Sequence, residues 1–290
     1  MTGFFFPAVP LARVAWLRRA VYPFVVFDML FVVRDPVPHG DVPAALYRPL
    51  LVRQWLHLPQ PSPGYVRALA VLLVVSAVVA ATGRLPRLAG WVCAFAMLDW
   101  VSNGFSYAKI DHDHFALMVA LFVLPSVGHA RVGDLTANRA AGWAVRMTQL
   151  GAVAIYFLSF WAKVRFGGWL WANGATLTWA LTRRGQGLAA WLGGQPALTH
   201  ALQWNVVVME FASPLMLWLR GRPLYAYLGF WGVFHLCTYL LLTIHFLPLV
   251  VCLLAFLPLE RLSLLRRPAR PRPAEPARPP AASAAPSSAR

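Results

Sequence analysis

Polar and ionisable side chains recur inside the apolar stretches of this sequence, and their spacing sorts them into stripes. Asp99, Asn103 and Ser106 follow i, i+4, i+7 spacing, which places them on one helix face. Gln149, Tyr156 and Lys163 are spaced by seven, with Ser159 between the last two, and form a second stripe. Glu210 and Ser213 mark a third stretch, while His235, Thr238 and Thr243 share one side of a fourth and His245 opens a fifth. The junction between two stretches reads Asp111-His112-Asp113-His114. An ionisable group at membrane depth costs about 2.5 kcal/mol or more, so each is a candidate for function. Lys163 is one of only two lysines among 26 basic residues, which singles it out for inspection. Imidazole and carboxylate also suit Zn, Mn or Fe, but no HExxH or comparable ligand spacing accompanies the Asp-His cluster, and no metal is expected.

Each candidate also has a plain structural reading. Asp99 with Asn103 would serve as interhelical hydrogen-bond glue. Asp113 would cap the helix that follows it, Lys163 would snorkel to an interface, and Glu210 would pair with a charge on a neighbouring helix. His235 would be a satisfied core histidine, and Tyr156, like most of the 13 Trp, would pack or line the interfacial belt.

The elements that carry these residues are hydrophobic. Of 290 residues 59% are hydrophobic and 12% charged, a balance that places most of the chain against lipid and excludes a soluble domain. The net charge of +16 would point to nucleic acid in a soluble protein. Here the arginines sit in short loops and in the tail, so the charge reads as a topology signal and no nucleic-acid partner is expected. Cys93, Cys237 and Cys252 all fall inside apolar segments, where a thiol acts as a small hydrophobe.

Apolar runs lie near 14–33, 66–82, 88–106, 114–128, 143–165, 203–219, 223–243 and 245–259, most of them close to the ~20 residues that span a bilayer. The runs at 114–128 and 245–259 are short. Asp28 interrupts the first run and no small-x-small cleavage site follows, so that run reads as a retained helix. The expected fold is therefore all-α, a polytopic transmembrane bundle of about eight helices over 14–260. A 1–13 segment precedes it, and a basic, Pro- and Ala-rich disordered tail fills 261–290. Arginines before and within the start of the first run, at 84 and 87, at 131 and 139, at 220 and 222 and in the tail assign alternate loops and both termini to the cytoplasm of a multi-pass cell-membrane protein. The segment 166–202 carries Arg183 and Arg184 on the opposite side, in a Gly- and Trp-rich stretch that suits an interfacial amphipathic helix. With that orientation the polar stripes converge on one extracytoplasmic-facing cavity.

Two stretches resemble a known family. Tyr156-Phe157-Leu158-Ser159-Phe160-Trp161-Ala162-Lys163, with Gln149 before it and Trp169 and Gly174 after, is similar to the signature of the HTTM domain, the membrane domain shared with vitamin K-dependent gamma-carboxylases. Asp111-His112-Asp113-His114 and the apolar run behind it resemble that family's His-bearing junction, with weaker matches at Glu210 and Phe234-His235. The similarity covers roughly 14–260. It implies Lys163 as the base that starts oxygenation of a lipid-soluble, vitamin K-type hydroquinone, with His112 contributing to the same chemistry; the expected departure from the carboxylases is the large lumenal domain that they add. The pocket would comprise His114, Glu210, His235, Tyr156, Gln149, Asp99 and Asn103. Its partners would be membrane lipid and a secreted peptide or protein. The competing reading is a non-catalytic membrane subunit for maturation or export of such a product, and a third is a small-solute or proton transporter built on the same buried carboxylates.

Overall fold

The computed structural model describes residues 2–265 apart from positions 35, 108 and 186. Of the expected tail, the short helix Arg261–Leu265 is described and 266–290 lies outside the described residues. Helix makes up 76% of the structure, and each of the eight apolar runs overlaps a helix. In chain order these are α1 (Leu11–Phe27), α2 (Pro63–Thr82), α3 (Leu88–Phe105), α4 (His114–Val123) and α5 (Arg139–Gly167). Two short helices follow, α6 (Ala175–Arg184) and α7 (Leu188–Gly193), and then α8 (Pro196–Ala212), α9 (Gly221–Leu242) and α10 (Leu247–Leu253). Several end in tighter or wider turns. α1 runs on as a π-helical turn, Asp28–Val32, and α4, α8 and α10 close with 3₁₀ turns at Leu124–Val127, Ser213–Leu217 and Leu254–Phe256.

Among the described residues three helices, α2, α5 and α9, are long and apolar enough to cross a membrane. α2 shows what that means at the level of residues. Its inner face carries Val66, Leu69, Leu73, Ala77 and Ala80 into the core, yet its outer face is also apolar, with Val71, Leu72, Val75 and Val78 exposed. A helix apolar on every side needs either a protein core all round or lipid. Half of α2 has no protein against it, so lipid is the solvent that fits. Val233, Leu236 and Leu240 make the same outward face on α9.

The helices α2 and α3, α4 and α5, α1 and α2, α5 and α8, and α4 and α10 pack directly on one another. α4 lies at the centre, burying Ala116, Leu117, Ala120, Leu121 and Leu124. A two-residue antiparallel pair, β1 (Val9–Pro10) with β2 (Ala137–Asn138), ties the start of α1 to the start of α5. Next to it the first N–H groups of α1, those of Leu11 and Ala12, donate to the carbonyls of Thr136 and Asp134 at 3.0 and 2.7 Å, which settles donors that a helix start leaves unpaired. The Asn138 side chain does the same for α5, accepting from the Ala141 N–H at 3.0 Å. One turn into α5, a Cβ on Gly142 would stand 1.4 Å from the Pro7 carbonyl oxygen, so only glycine lets the N-terminal segment cross there.

At this end Arg13 of α1 grips Glu260 with bonds of 2.7 and 2.5 Å. Burial works against the charge on Glu260, but the Arg13 fork holds its carboxyl below the ordinary value of 4.5. A depressed value in the folded state adds stability above the ordinary glutamate range and loses it as pH falls through the depressed value. Between pH 7 and pH 3, the thermal midpoint of the full chain in detergent is expected to fall more steeply than that of Glu260→Gln. Parallel curves would contradict the pairing.

Candidate functional site

A cavity of about 1090 Å³ opens among α3, α4, α5, α6, α8 and α9 and reaches the start of α10. Its wall is mostly apolar, with Phe105, Phe115, Met118, Phe230, Phe234 and Phe246 on it. Polar groups enter at a few points, and each is placed by a different helix.

Lys163 comes from the last turns of α5. Its Nζ donates to Glu210 Oε1 at 2.7 Å, to Oε2 at 2.8 Å and to the Ser159 carbonyl at 3.4 Å, so all three ammonium donors are used. The Trp171 ring lies 5.1 Å away on the cation's other side. Glu210 reaches the pair from α8 and is 5% exposed. The structural reading of Glu210 is thereby met in full: its counter-charge is Lys163 on the neighbouring helix. The pair remains on the cavity wall, with its apolar surroundings open to a ligand.

Seven residues up α5, Tyr156 stacks on Trp231 of α9 with ring centroids 3.7 Å apart, and its hydroxyl meets His235 Nε2 at 2.8 Å. His235 Nδ1 is buried without a protein partner. In the tautomer that carries its proton on Nδ1, His235 accepts from Tyr156 and keeps one N–H unpaired beside the cavity.

His114 opens α4. Its Nδ1 lies 3.2 Å from Asp113 Oδ1, and its Nε2 lies 3.2 Å from both oxygens of Asp28, the first residue of the π-helical turn. All three are buried. Asp113 does precede α4, as an N-cap would, but its side chain makes no capping bond and turns to His114 instead. His112, just before, stands on the cavity wall with its ring 6.3 Å from that of Phe246. Desolvation lowers the pKa of His112 below 6.5 against the pull of Asp113, which favours the neutral ring. Among the described residues no three His, Cys, Asp or Glu side chains converge on a point where a metal ion could sit.

The structure thus brings Lys163, Glu210, His112, His114, Tyr156 and His235 onto one cavity, and leaves Asp99, Asn103 and Gln149 off its wall. Asp99 is held by Arg53 and by the Tyr65 hydroxyl. Arg53 is 1% exposed and spends its other donors on Tyr47 Oη, the Pro59 carbonyl and Ser102 Oγ, so this centre fastens the 44–60 loop to α3. Asn103 is fully buried, and its side-chain amide has no protein partner. Gln149 donates to the Ala255 carbonyl at 2.9 Å and fixes α5 against the end of α10.

The segment 166–202, expected at an interface, forms α6 and α7 and covers one end of the cavity with Leu177, Leu181 and Leu192. Gln203 of α8 pins it, accepting from the Leu177 N–H at 3.1 Å and donating to the Trp171 carbonyl. Gln203, Trp171 and Asp28 are site residues that the spacing of polar side chains did not single out as such. Asp28 in the middle of an apolar run was the one visible signal, and its partner lies 86 residues away.

Neither family models, nor curated proteins, nor solved structures show a match to this chain.

Replacing Tyr156 by Phe keeps the Trp231 stack but removes the donor to His235, leaving both ring nitrogens without a protein partner. The expected loss is about 1–3 kcal/mol of stability, read as a lower thermal midpoint for Tyr156→Phe than for the unaltered chain in the same detergent. An unchanged midpoint would mean that this hydrogen bond is not made.

Proposed function

We propose that the chain is a multi-pass membrane protein whose eight apolar segments all enter the bilayer, with both termini cytoplasmic. Its chamber would face the extracytoplasmic side and take a lipid-soluble hydroquinone. The observation that carries this reading is the chamber itself, an apolar space with a few converging polar groups, among them the Lys163–Glu210 ion pair. The placement of charge along the bundle agrees with it. Asp111, His112 and Lys163 lie at one end of α4 and α5, whereas Arg13, Arg84, Arg131 and Arg139 lie at the other. The resemblance to the HTTM domain supports the choice of ligand.

The donor set suits such a ligand. Flat aromatic rings would pack its ring system, and Lys163 and His112 could meet its two oxygens. A hydroquinone supplies two acidic hydroxyls and two electrons. What this chain supplies is a place for the first proton. Lys163 is paired as the ammonium, so it must pass its proton to Glu210, 2.7 Å away, before Nζ can take one from a ring hydroxyl. The charge separation of the ion pair is cancelled in that transfer, which an apolar chamber favours. His112, whose neutral form burial favours, stands on the same wall as a hydrogen-bond partner for the ring's other oxygen.

A second reading rests on the same pair. Because Lys163 and Glu210 satisfy one another, they would serve equally in a non-catalytic subunit that binds lipid while a secreted peptide or protein is matured or exported. Lys163→Arg separates the two, since arginine keeps the ion pair but cannot release its proton. The test follows oxygenated product by chromatography after vitamin K-type hydroquinone is added to the full chain in nanodiscs under air. Lys163→Arg is expected to lower the rate about 100-fold or more while leaving the thermal midpoint close to that of the unaltered chain. Equal rates would rule out Lys163 as the base, and no product from either protein would favour the subunit reading.

A further inference from the structure

A second cleft, of about 370 Å³, lies at the other end of the bundle, where α2 ends, α4 ends and α1 begins. Its lining holds Arg18, Arg19, Arg84, Arg131 and His129 and no acidic side chain. We infer that this cleft binds a phosphate group, in the first place that of an anionic phospholipid headgroup.

The local sequence builds the cleft in three steps. α2 stops at Gly83, whose φ of +71° turns the chain at once and carries Arg84 to the rim. The 3₁₀ turn after α4 ends at Gly128, and the chain there brings His129 and Arg131 alongside. Arg18 is the floor. It is 2% exposed, its Nη1 donates to the Gly128 carbonyl at 2.6 Å and its Nη2 to the Leu124 carbonyl at 2.5 Å, and its Nε has no partner. A buried guanidinium that neutralises two carbonyls at a helix end leaves a net positive floor rather than a neutral one.

The remaining charges are not spent elsewhere. Among the described residues none of Arg18, Arg19, Arg84 and Arg131 forms an ion pair. The carboxylate nearest along the chain, Asp134, feels Arg131 but accepts from the Thr136 N–H at 2.9 Å, and it does not line the cleft. Arg19 is steadied against the Trp16 ring at 5.3 Å. Three exposed arginines over a buried fourth, without a counter-anion, repel one another unless an anion sits among them. Guanidinium groups match phosphate oxygens in pairs. The other wall is made of Ala15, Ala80 and Ala81, of which part-exposed Ala81, one turn on from the exposed Val78, leads onto the outward face of α2 and suits a headgroup with its glycerol attached better than a free ion.

Neither the chamber nor Lys163 enters this inference, so its failure leaves the proposed chemistry untouched. The test titrates the full chain in neutral detergent with phosphatidic acid, with phosphatidylcholine and with sodium phosphate, reading the thermal midpoint. Phosphatidic acid is expected to raise the midpoint saturably and phosphatidylcholine to leave it flat. Arg84→Gln combined with Arg131→Gln removes two exposed, unpaired charges and should raise the half-saturating concentration roughly 25-fold, about fivefold per arginine. Arg139→Gln with Arg222→Gln, the same charge change outside the cleft, should shift it less than about twofold. Sodium phosphate acting as strongly as phosphatidic acid, with the same loss in the cleft variant, would keep the phosphate site and make its source soluble. A cleft variant that titrates like the unaltered chain, or a control variant that shifts as far, would overturn the inference.

Discussion

A full charge carried into an apolar bundle must meet its counter-charge there, and the Lys163–Glu210 pair is where this chain meets that demand most directly. An unpaired lysine or glutamate at that depth would cost several kcal/mol. The two side chains therefore fix how α5 and α8 face one another, and the bonds from both carboxylate oxygens to one ammonium leave little freedom in the crossing. The rest of the chamber is arranged around that fixed point. Ser159 takes the third ammonium proton, Trp171 covers the cation, and Gln203 on the same face of α8 holds Trp171 by its carbonyl. A pair that balances itself is also the state from which a proton can be moved at least cost, because the transfer removes two charges from a medium that solvates them poorly.

The same demand recurs at two other places. His114 at the start of α4 is held between Asp28 and Asp113, and Asp99 of α3 is held by Arg53 of a short helical turn and by Tyr65 at the start of α2. The first joins α1 to α4 beside the chamber. The second secures the loop that runs over the end of α3. Arg18 and Arg146 do comparable service at the opposite end of the bundle by donating to carbonyls where helices stop, those of Leu124, Gly128 and Leu217. Buried polar contacts thus set the orientation of helices whose apolar surfaces alone would slide, since lipid competes for those surfaces on equal terms.

Hydrophobic runs made the helices legible, because a run of apolar side chains is the property lipid selects. The edges were less so: the first helix starts at Leu11 and ends in a π-helical turn, and the sixth run is entered at Pro196, ahead of its apolar part. The stripe of Gln149, Tyr156 and Lys163 shows how far spacing reaches. Steps of seven on an α-helix drift by about 20° each, so Gln149 is turned by about 40° from Lys163, and it meets Ala255 while the other two meet the chamber. Asp99 and Asn103 do share a buried face, but Arg53, charged and outside the apolar runs, carried no sign that it would turn inward and claim Asp99. Asp113 had one local role open to it as a helix cap and took another, a contact with the adjacent His114, whose ring Asp28 holds on its other side. Such contacts depend on which helices become neighbours, and one sequence does not carry that.

The claim on which the account turns is that Lys163 and Glu210 neutralise one another inside the bundle, and a double-mutant cycle measures it. The unaltered chain, Lys163→Met, Glu210→Met and the double variant would be compared by thermal unfolding in one detergent. Each single variant leaves a buried charge alone and is expected to lose about 3–5 kcal/mol, while the double variant recovers most of that loss. If the double variant instead loses the sum of the two single effects, the pair is not coupled and the chamber is not organised around it.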